Sequence, residues 1–365
     1  LNQRLSSGDL VESGNARPMP EVRIGFVDFQ DIPLTNGWVQ IQGEVGFAKM
    51  LDDGWRRDQY NYYTNQIVTN EWYNYKRCYF RTNPHQPFSV TVGMQAAAIF
   101  GGDLTYYNKG VIFRQWKSKV TLKDFFHNFF PTPDGSEGFY SGSHLGSWDF
   151  KARYKLRDRS EVSAYFSWPW EDGSGIGRMN GWDGLWGLEY KGTAGDHLSG
   201  LVVEYLDFTN HSGPMHYAPA DWADTTLDHQ VTGADDYYNN HHHNPYCYFG
   251  QSIGSPAFMA PIYNLDGYPG FLANRMRGVH VAAEGNVVPG VDYLVKGGYR
   301  KAWGNGKFLL PTPLHSASFL VEAAWRPAKL NNLKVTGTLS WDIGNMPTRG
   351  FGAMLSVKYD GHFNL

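Results

Sequence analysis

The sequence predicts an all-β chain, a transmembrane antiparallel β-barrel occupying residues 1–365 as a single domain. Three observations carry that prediction. Apolar and polar residues alternate through about thirteen stretches, and the connections between those stretches alternate short and long. Aromatic residues make up 16% of the chain, yet no segment approaches the ~20 apolar residues of a membrane-spanning helix.

Taken in order, the strand candidates lie near 21–29, 38–51, 71–81, 88–100, 147–157, 161–169, 184–191, 198–207, 275–284, 291–303, 316–326, 332–343 and 351–361. Successive side chains of a strand point to opposite faces. In the second candidate Val39, Ile41, Val45 and Phe47 share one face, opposite Gln40, Gln42, Glu44 and Gly46. The fifth sets Trp148, Phe150, Ala152, Tyr154 and Leu156 against Asp149, Lys151, Arg153, Lys155 and Arg157. Phe319, Val321, Ala323 and Trp325 repeat the pattern, as do Leu333 to Asp342 and Phe351 to Asp360. A soluble sheet turns such a charged row to solvent, whereas a membrane barrel turns it to a polar lumen. On the second reading Lys151, Arg153, Lys155, Arg157, Glu322, Lys334, Asp342 and Lys358 line the lumen.

Short connections are read at Arg157–Ser160, Gly192–His197, Gly285–Gly290 and Arg326–Asn332, rich in turn-forming residues. Long ones are read at 52–70, 101–146, 170–183, 208–274 and 304–315, all at the same end of the strands. One segment breaks the period of two: Lys117 to Phe130 is a short amphipathic helix with an aromatic face. It reads as packing for a long loop, with a lumen plug or a seat at the membrane interface as functional alternatives.

Composition limits the remaining classes. A mean hydropathy of -0.46 suits strands that are polar on one face and apolar on the other. A net charge of -3 points to neither a nucleic-acid partner nor a strongly anionic substrate. Cys78 and Cys247 are too few for a disulfide framework. The start, Leu1-Asn2-Gln3-Arg4, shows no secretory signal and reads as a mature or internal beginning. Because an odd number of strands does not close an all-antiparallel barrel, additional N-terminal strands are expected ahead of Leu1.

A set of short motifs then points to a family. Asn15-Ala16-Arg17-Pro18-Met19-Pro20, Gly37-Trp38-Val39, Asp52-Asp53-Gly54-Trp55, Gly93-Met94-Gln95 and Phe100-Gly101-Gly102 come first. His144-Leu145-Gly146-Ser147-Trp148-Asp149, Trp170-Glu171-Asp172-Gly173-Ser174-Gly175, Leu206-Asp207-Phe208-Thr209-Asn210 and Gly233-Ala234-Asp235-Asp236-Tyr237-Tyr238-Asn239 follow. In order and spacing they resemble the capsule-assembly Wzi family over essentially the whole chain. The resemblance implies an outer-membrane barrel of about 18 strands in a Gram-negative bacterium. It also implies outer loops that bind capsular polysaccharide and help to assemble or attach it at the cell surface.

The candidate glycan-binding residues lie in the long loops: Trp170, Glu171, Asp172, Asn180, Trp182 and Asp183, then Asp235, Asp236, Tyr237, Tyr238 and Asn239. Aromatic faces cover the apolar faces of sugar rings, and carboxylates and amides bond to hydroxyls. Trp168, Trp170 and Trp186 also fit an interfacial belt, whereas Trp182 sits mid-loop. His241, His242 and His243, with His229 or His216, invite a metal reading. Their spacing matches no regular zinc pattern, and no metal or cofactor is assigned. No pair of carboxylates and no nucleophile-elbow motif singles out a catalytic centre, so the chain reads as a non-enzyme. The expected partners are membrane lipid and surface polysaccharide. A diffusion channel for small solutes or oligosaccharides is the main alternative, and an outer-membrane hydrolase a more distant one.

Overall fold

Thirteen strands, each hydrogen-bonded to its neighbours in antiparallel register, form one sheet in the computed structural model. The structure describes residues 1–51, 54–60, 62, 65–130, 142–171, 180–212, 216–217, 231–232, 235–240, 242–264, 267–306, 309–330, 332–346 and 349–361. In chain order the first strands are β1 (Glu21–Asp31), β2 (Val39–Lys49), β3 (Asn65–Thr69), β4 (Trp72–Thr82) and β5 (Phe88–Phe100). Then come β6 (Asp103–Asn108), β7 (Val111–Lys117), β8 (Ser143–Lys155), β9 (Glu161–Trp170), β10 (Gly184–Lys191) and β11 (Gly200–Phe208). Two-residue strands β12 (His216–Tyr217), β13 (Val231–Thr232), β14 (Cys247–Tyr248) and β15 (Gln251–Ser252) form two small ladders. The chain finishes with β16 (Arg275–Val288), β17 (Val291–Gly304), β18 (Leu309–Trp325), β19 (Leu333–Gly344) and β20 (Gly350–Tyr359). The main sheet takes all except β3, β6, β7 and β12 to β15, and its thirteen members match the thirteen stretches of alternating residues one for one.

The register shows why the alternation matters. One rung across the sheet reads Ala152, Ala164, Leu188, Val203, Val281, Gly297, Phe319 and Trp341. The adjacent rung reads Lys151, Tyr165, Gly187, Glu204, His280, Gly298, Ser318 and Asp342. Apolar side chains on the first face stay exposed, including Leu188, Val203 and Val281, while Glu204 on the second is buried. The Tyr165 ring lies over Gly187, where a Cβ would come within 2.0 Å of it, and its hydroxyl donates to Glu204 at 2.6 Å.

The N-terminal segment lies against the polar face. Asn2 donates to Glu189, Arg4 pairs with Glu284 on β16 and Glu322 on β18, and Ser6 donates to Glu204 on β11. Asp9 accepts from Gln95 on β5, and Glu12 pairs with Arg23 on β1. Leu5 fits a notch of Val202, Ala282 and Leu294. A segment this short, turned at Asn2–Ser6 and again at Asp9–Glu12, reaches strands from β1 to β18. The sheet therefore curls around it, polar face inward.

Curling does not bring the edges together. Among the described residues β1 pairs only with β2, and β20 only with β19. The thirteen strands thus form an open, curled sheet, whereas the sequence reading expects closure only with additional N-terminal strands. The expected long connection at 304–315 is corrected, because β18 begins at Leu309. Pro311 and Pro313 fall inside this strand, beside a register shift and beyond the reach of β19, where a missing donor is tolerated. Gly285 to Val288 likewise belongs to β16, not to a turn.

The other long connections stay long and carry structure of their own. Strands β3, β6 and β7 form a separate sheet in direct continuation of β4 and β5, its hairpin turning at Lys109 and Gly110, both with positive φ. Helix α1 (Trp55–Tyr60) packs beside it through Trp55 and Tyr60. Helix α2 (Leu122–Phe129) falls inside the helical stretch read at Lys117 to Phe130. It lies on the outward face of the sheet, not in its hollow. Phe125 sits 5.2 Å from Phe47, 5.0 Å from Trp72 and 5.3 Å from Phe100 between ring centroids.

Candidate functional site

The described residues between 235 and 274 fold back into the hollow of the sheet at the long-loop end. Tyr237, Tyr238, Tyr246, Phe258 and Phe271 join Leu10 and Val11 of the N-terminal segment and Tyr73, Leu185 and Phe208 of the strands in one hydrophobic core. The Tyr238 hydroxyl donates to the Leu10 carbonyl and accepts from the Ser255 amide, and the Tyr246 hydroxyl donates to the Val11 carbonyl at 2.8 Å. Burial of this kind requires each hydroxyl to find a partner, and each does.

This core contains most of the candidate glycan-binding residues. Asn180 is fully buried, donating to the Pro169 carbonyl and accepting from the Trp168 indole at 3.0 Å. Asp183 is buried and accepts from the amides of Asn210 and His211 and from the Tyr237 hydroxyl, at 2.9, 2.9 and 3.0 Å. Burial pushes its carboxyl up to about 6 despite these three donors. His211, packed 4.6 Å from the Tyr237 ring, is pushed down to about 4 by burial and then by the nearby Arg275. Asp235 accepts from Ser212. Asp236 accepts from Asn239 and Asn274, and Glu171 from the Tyr238 amide. Trp170 is buried beside the same tyrosines, against Gly146. Tyr238, expected to meet glycan from a long loop, is therefore a core residue. Asp172, His229 and His241 lie outside the described residues. His243 approaches Glu71 at 3.4 Å, and no group of three metal-ligating side chains forms among the described residues.

Trp182 is 71% exposed, but its position differs from the mid-loop one expected. Its ring stacks on Trp168 at 5.9 Å and neighbours Trp186, which stacks on Phe166 at 3.9 Å. The register of β9 and β10 puts these rings on the outward face, at the long-loop rim. A second exposed aromatic group went unread in the sequence. On the β6–β7 hairpin Tyr106 meets Phe113 at 5.9 Å and Trp116 at 5.8 Å, and the Arg114 guanidinium lies 3.7 Å over the Trp116 ring. Its signal was available: two strand-forming runs flank the turn Asn108-Lys109-Gly110.

Below the core, the polar face encloses a cavity of about 950 Å³ lined by Glu44, Arg77, Arg81, Gln95, Asp149, Lys151 and Arg153, among others. Most of these charges are paired: Arg77 with Glu44 at 2.9 Å, Lys151 with Glu189 at 2.8 Å, and Arg153 with Glu161 at 2.9 Å. Of the predicted lumen residues, Lys151 and Arg153 line this cavity, and Glu322 holds Arg4. Lys155 and Arg157 are exposed at the short-turn end. Lys334 and Lys358 are cross-strand partners, and Asp342 is opposite Ser318 on the inward rung.

Fold and hollow together define an all-β chain, one antiparallel sheet curled around a polar hollow. No family model and no curated protein matches the chain. Among solved structures it is similar to Wzi from Escherichia coli, an outer-membrane protein involved in group 1 capsule assembly and described as a carbohydrate-binding β-barrel. That match has a TM-score of 0.55 at 15% identity and covers 96% of this chain. The chain spans 63% of that protein's length. An outer-membrane channel from Pseudomonas putida F1 matches at a TM-score of 0.30 and 9% identity, covering 94% of this chain and 96% of that one. OprD, an outer-membrane protein from Pseudomonas aeruginosa, matches at 0.34 and 10%, covering 96% and 97%. The likeness to Wzi is one of fold.

Proposed function

We propose that the chain forms most of the wall and outer loops of a Gram-negative outer-membrane barrel that holds surface polysaccharide. In this reading the long-loop end faces the cell exterior. Further strands, contributed by sequence outside these 365 residues, join β1 to β20, because open edges would leave backbone donors and acceptors unpaired in hydrocarbon. The outward rung of exposed aliphatic and aromatic side chains meets lipid. A continuous apolar face of that extent is foreign to soluble monomers.

The observation that carries a binding role, as opposed to a pore, is the core of residues 235–274 packed inside the sheet. It gives the long-loop end a solid surface. The buried residues Asn180, Asp183, Asp235, Tyr237 and Tyr238 build that surface, and the exposed rings of Trp182 and of the β6–β7 hairpin present flat faces to sugars. Stacking on Tyr106, Phe113 and Trp116, with Arg114 donating to hydroxyls or carboxylates, provides the chemistry of a glycan platform. No catalytic step is part of this role.

The enclosed cavity with its paired charges favours a second reading, a channel for small solutes. One experiment separates the two. Cells expressing a Trp116→Ala/Trp182→Ala variant should fold the barrel normally yet release glycan more readily, each ring being worth on the order of 1 kcal/mol. Unchanged glycan retention, together with solute uptake that depends on the protein, would replace the binding reading with the channel.

A further inference from the structure

We infer that helix α2 and the lysines leading into it form a binding site for an anionic, phosphate-bearing lipid on the outer wall of the sheet. This site rests on the membrane reading above and adds to it a specific lipid contact.

The helix is fixed to the wall on one side only. Phe125 is wedged among Phe47, Trp72 and Phe100, all at the long-loop rim and all on the outward face. Lys76 reaches out from β4 and donates to the last carbonyls of the helix, Asn128 at 2.7 Å and Phe129 at 2.8 Å. At the other end the amide and hydroxyl of Thr121 both donate to Asp124, closing a capping box. These contacts explain why eight residues hold a helix that would be marginal alone.

The opposite side is unpartnered and apolar. Leu122, Phe126 and Phe130, spaced four apart, are 87%, 60% and 53% exposed. A buried aromatic anchor does not account for three large apolar groups turned away from the protein. Two features identify what covers them. First, the stripe continues the apolar outer wall: the helix seat is made of outward residues of β2, β4 and β5, and the neighbouring wall exposes Phe80, Val92 and Phe150. Second, Lys117, Lys119 and Lys123 are exposed beside the stripe, and none has a carboxylate partner among the described residues. An apolar stripe at interface depth, flanked by lysines without a carboxylate partner among the described residues, matches the two halves of an acidic amphiphile, acyl chain and phosphate.

The test uses the full chain inserted in vesicles of phosphatidylcholine with phosphatidylglycerol. Nitroxide labels are placed at Phe126→Cys and, separately, Leu122→Cys, with Val203→Cys on the wall as reference, all in a Cys78→Ser background. Labels at 122, 126 and 203 should collide with dissolved oxygen and be shielded from a water-soluble nickel chelate. Nickel access at both 122 and 126 with shielding at 203 would overturn the lipid site and leave the membrane reading intact. Nickel access at all three would overturn both. The lysines are tested by the lipid retained on the purified protein in native mass spectrometry. Replacing Lys117, Lys119 and Lys123 by Gln should weaken the preference for phosphatidylglycerol over phosphatidylcholine by about fivefold per lysine, and an unchanged preference would overturn the anionic specificity.

Discussion

At the scale of single residues, the loop core makes demands that exposed loop residues do not. Tyr238→Ala would remove a buried ring together with the hydroxyl bonded to Leu10 and Ser255. It should cost about 3 to 5 kcal/mol, as aromatic truncation in cores does, and urea unfolding of the detergent-solubilised protein measures it. Trp182→Ala, which opens no buried cavity, should cost far less. Asp183 and His211 give the same core a pH dependence of two opposing signs. The folded Asp183 carboxyl, at about 6, binds a proton more readily than in the unfolded chain, so its contribution declines as pH rises from about 4 through 6. His211, at about 4 when folded, must stay neutral, so its contribution is lost as pH falls from about 6.5 towards 4. In the native chain the two largely cancel. Asp183→Asn removes the opposing contribution, and relative to the native chain the variant should lose of order 2 to 3 kcal/mol of stability on acidification over that range. Unfolding midpoints at a series of pH values check this, and a variant profile parallel to the native one would count against the opposing pair.

At the scale of elements, the proposed membrane setting turns on which face of the sheet stays dry. Val203 is on the outward rung of β11, between Leu188 and Val281. Val203→Arg should destabilise the protein in bilayers by about 2 to 4 kcal/mol, the cost of a cation near the middle of a lipid-facing wall. In a water-facing sheet the same change would be close to neutral, so the unfolding free energy in lipid vesicles is decisive. Pattern alone was enough to find these strands, because a period of two survives whatever the strand packs against. It did not find β3, β6 and β7, which are short, and it read Pro311 and Pro313 as loop. A proline ends a strand only where its missing donor is required, and beside a bulge at an unpartnered edge it is not.

At the scale of the whole molecule, the question is what fills the hollow. Residues 1–14 cross it through Arg4, Asp9 and Glu12, and residues 235–274 close one end with their hydrophobic core. A planar bilayer holding the protein should therefore show little steady conductance. Replacing residues 3–13 by a Gly-Ser linker should raise it, because the ion pairs and the Leu5 contact that hold the segment are removed. Large native conductance, unchanged by the linker, would favour the channel reading.

By itself the sequence determined the all-β class, the thirteen wall strands and the two faces of the sheet, because side-chain direction in a strand follows from local geometry alone. It also marked the rings and carboxylates of the long loops as distinctive. Only the tertiary structure decided which of them face out. Asn180, Asp183, Tyr237 and Tyr238 look like surface groups in polar loops, but Tyr238 is buried where its loop folds back onto Leu10, and Tyr237 from the same loop covers Asn180 and Asp183 of another. The outward seat of α2, the crossing of the N-terminal segment and the paired state of the cavity charges have the same origin. Each depends on contacts between residues far apart in the chain, and a local pattern carries no record of those.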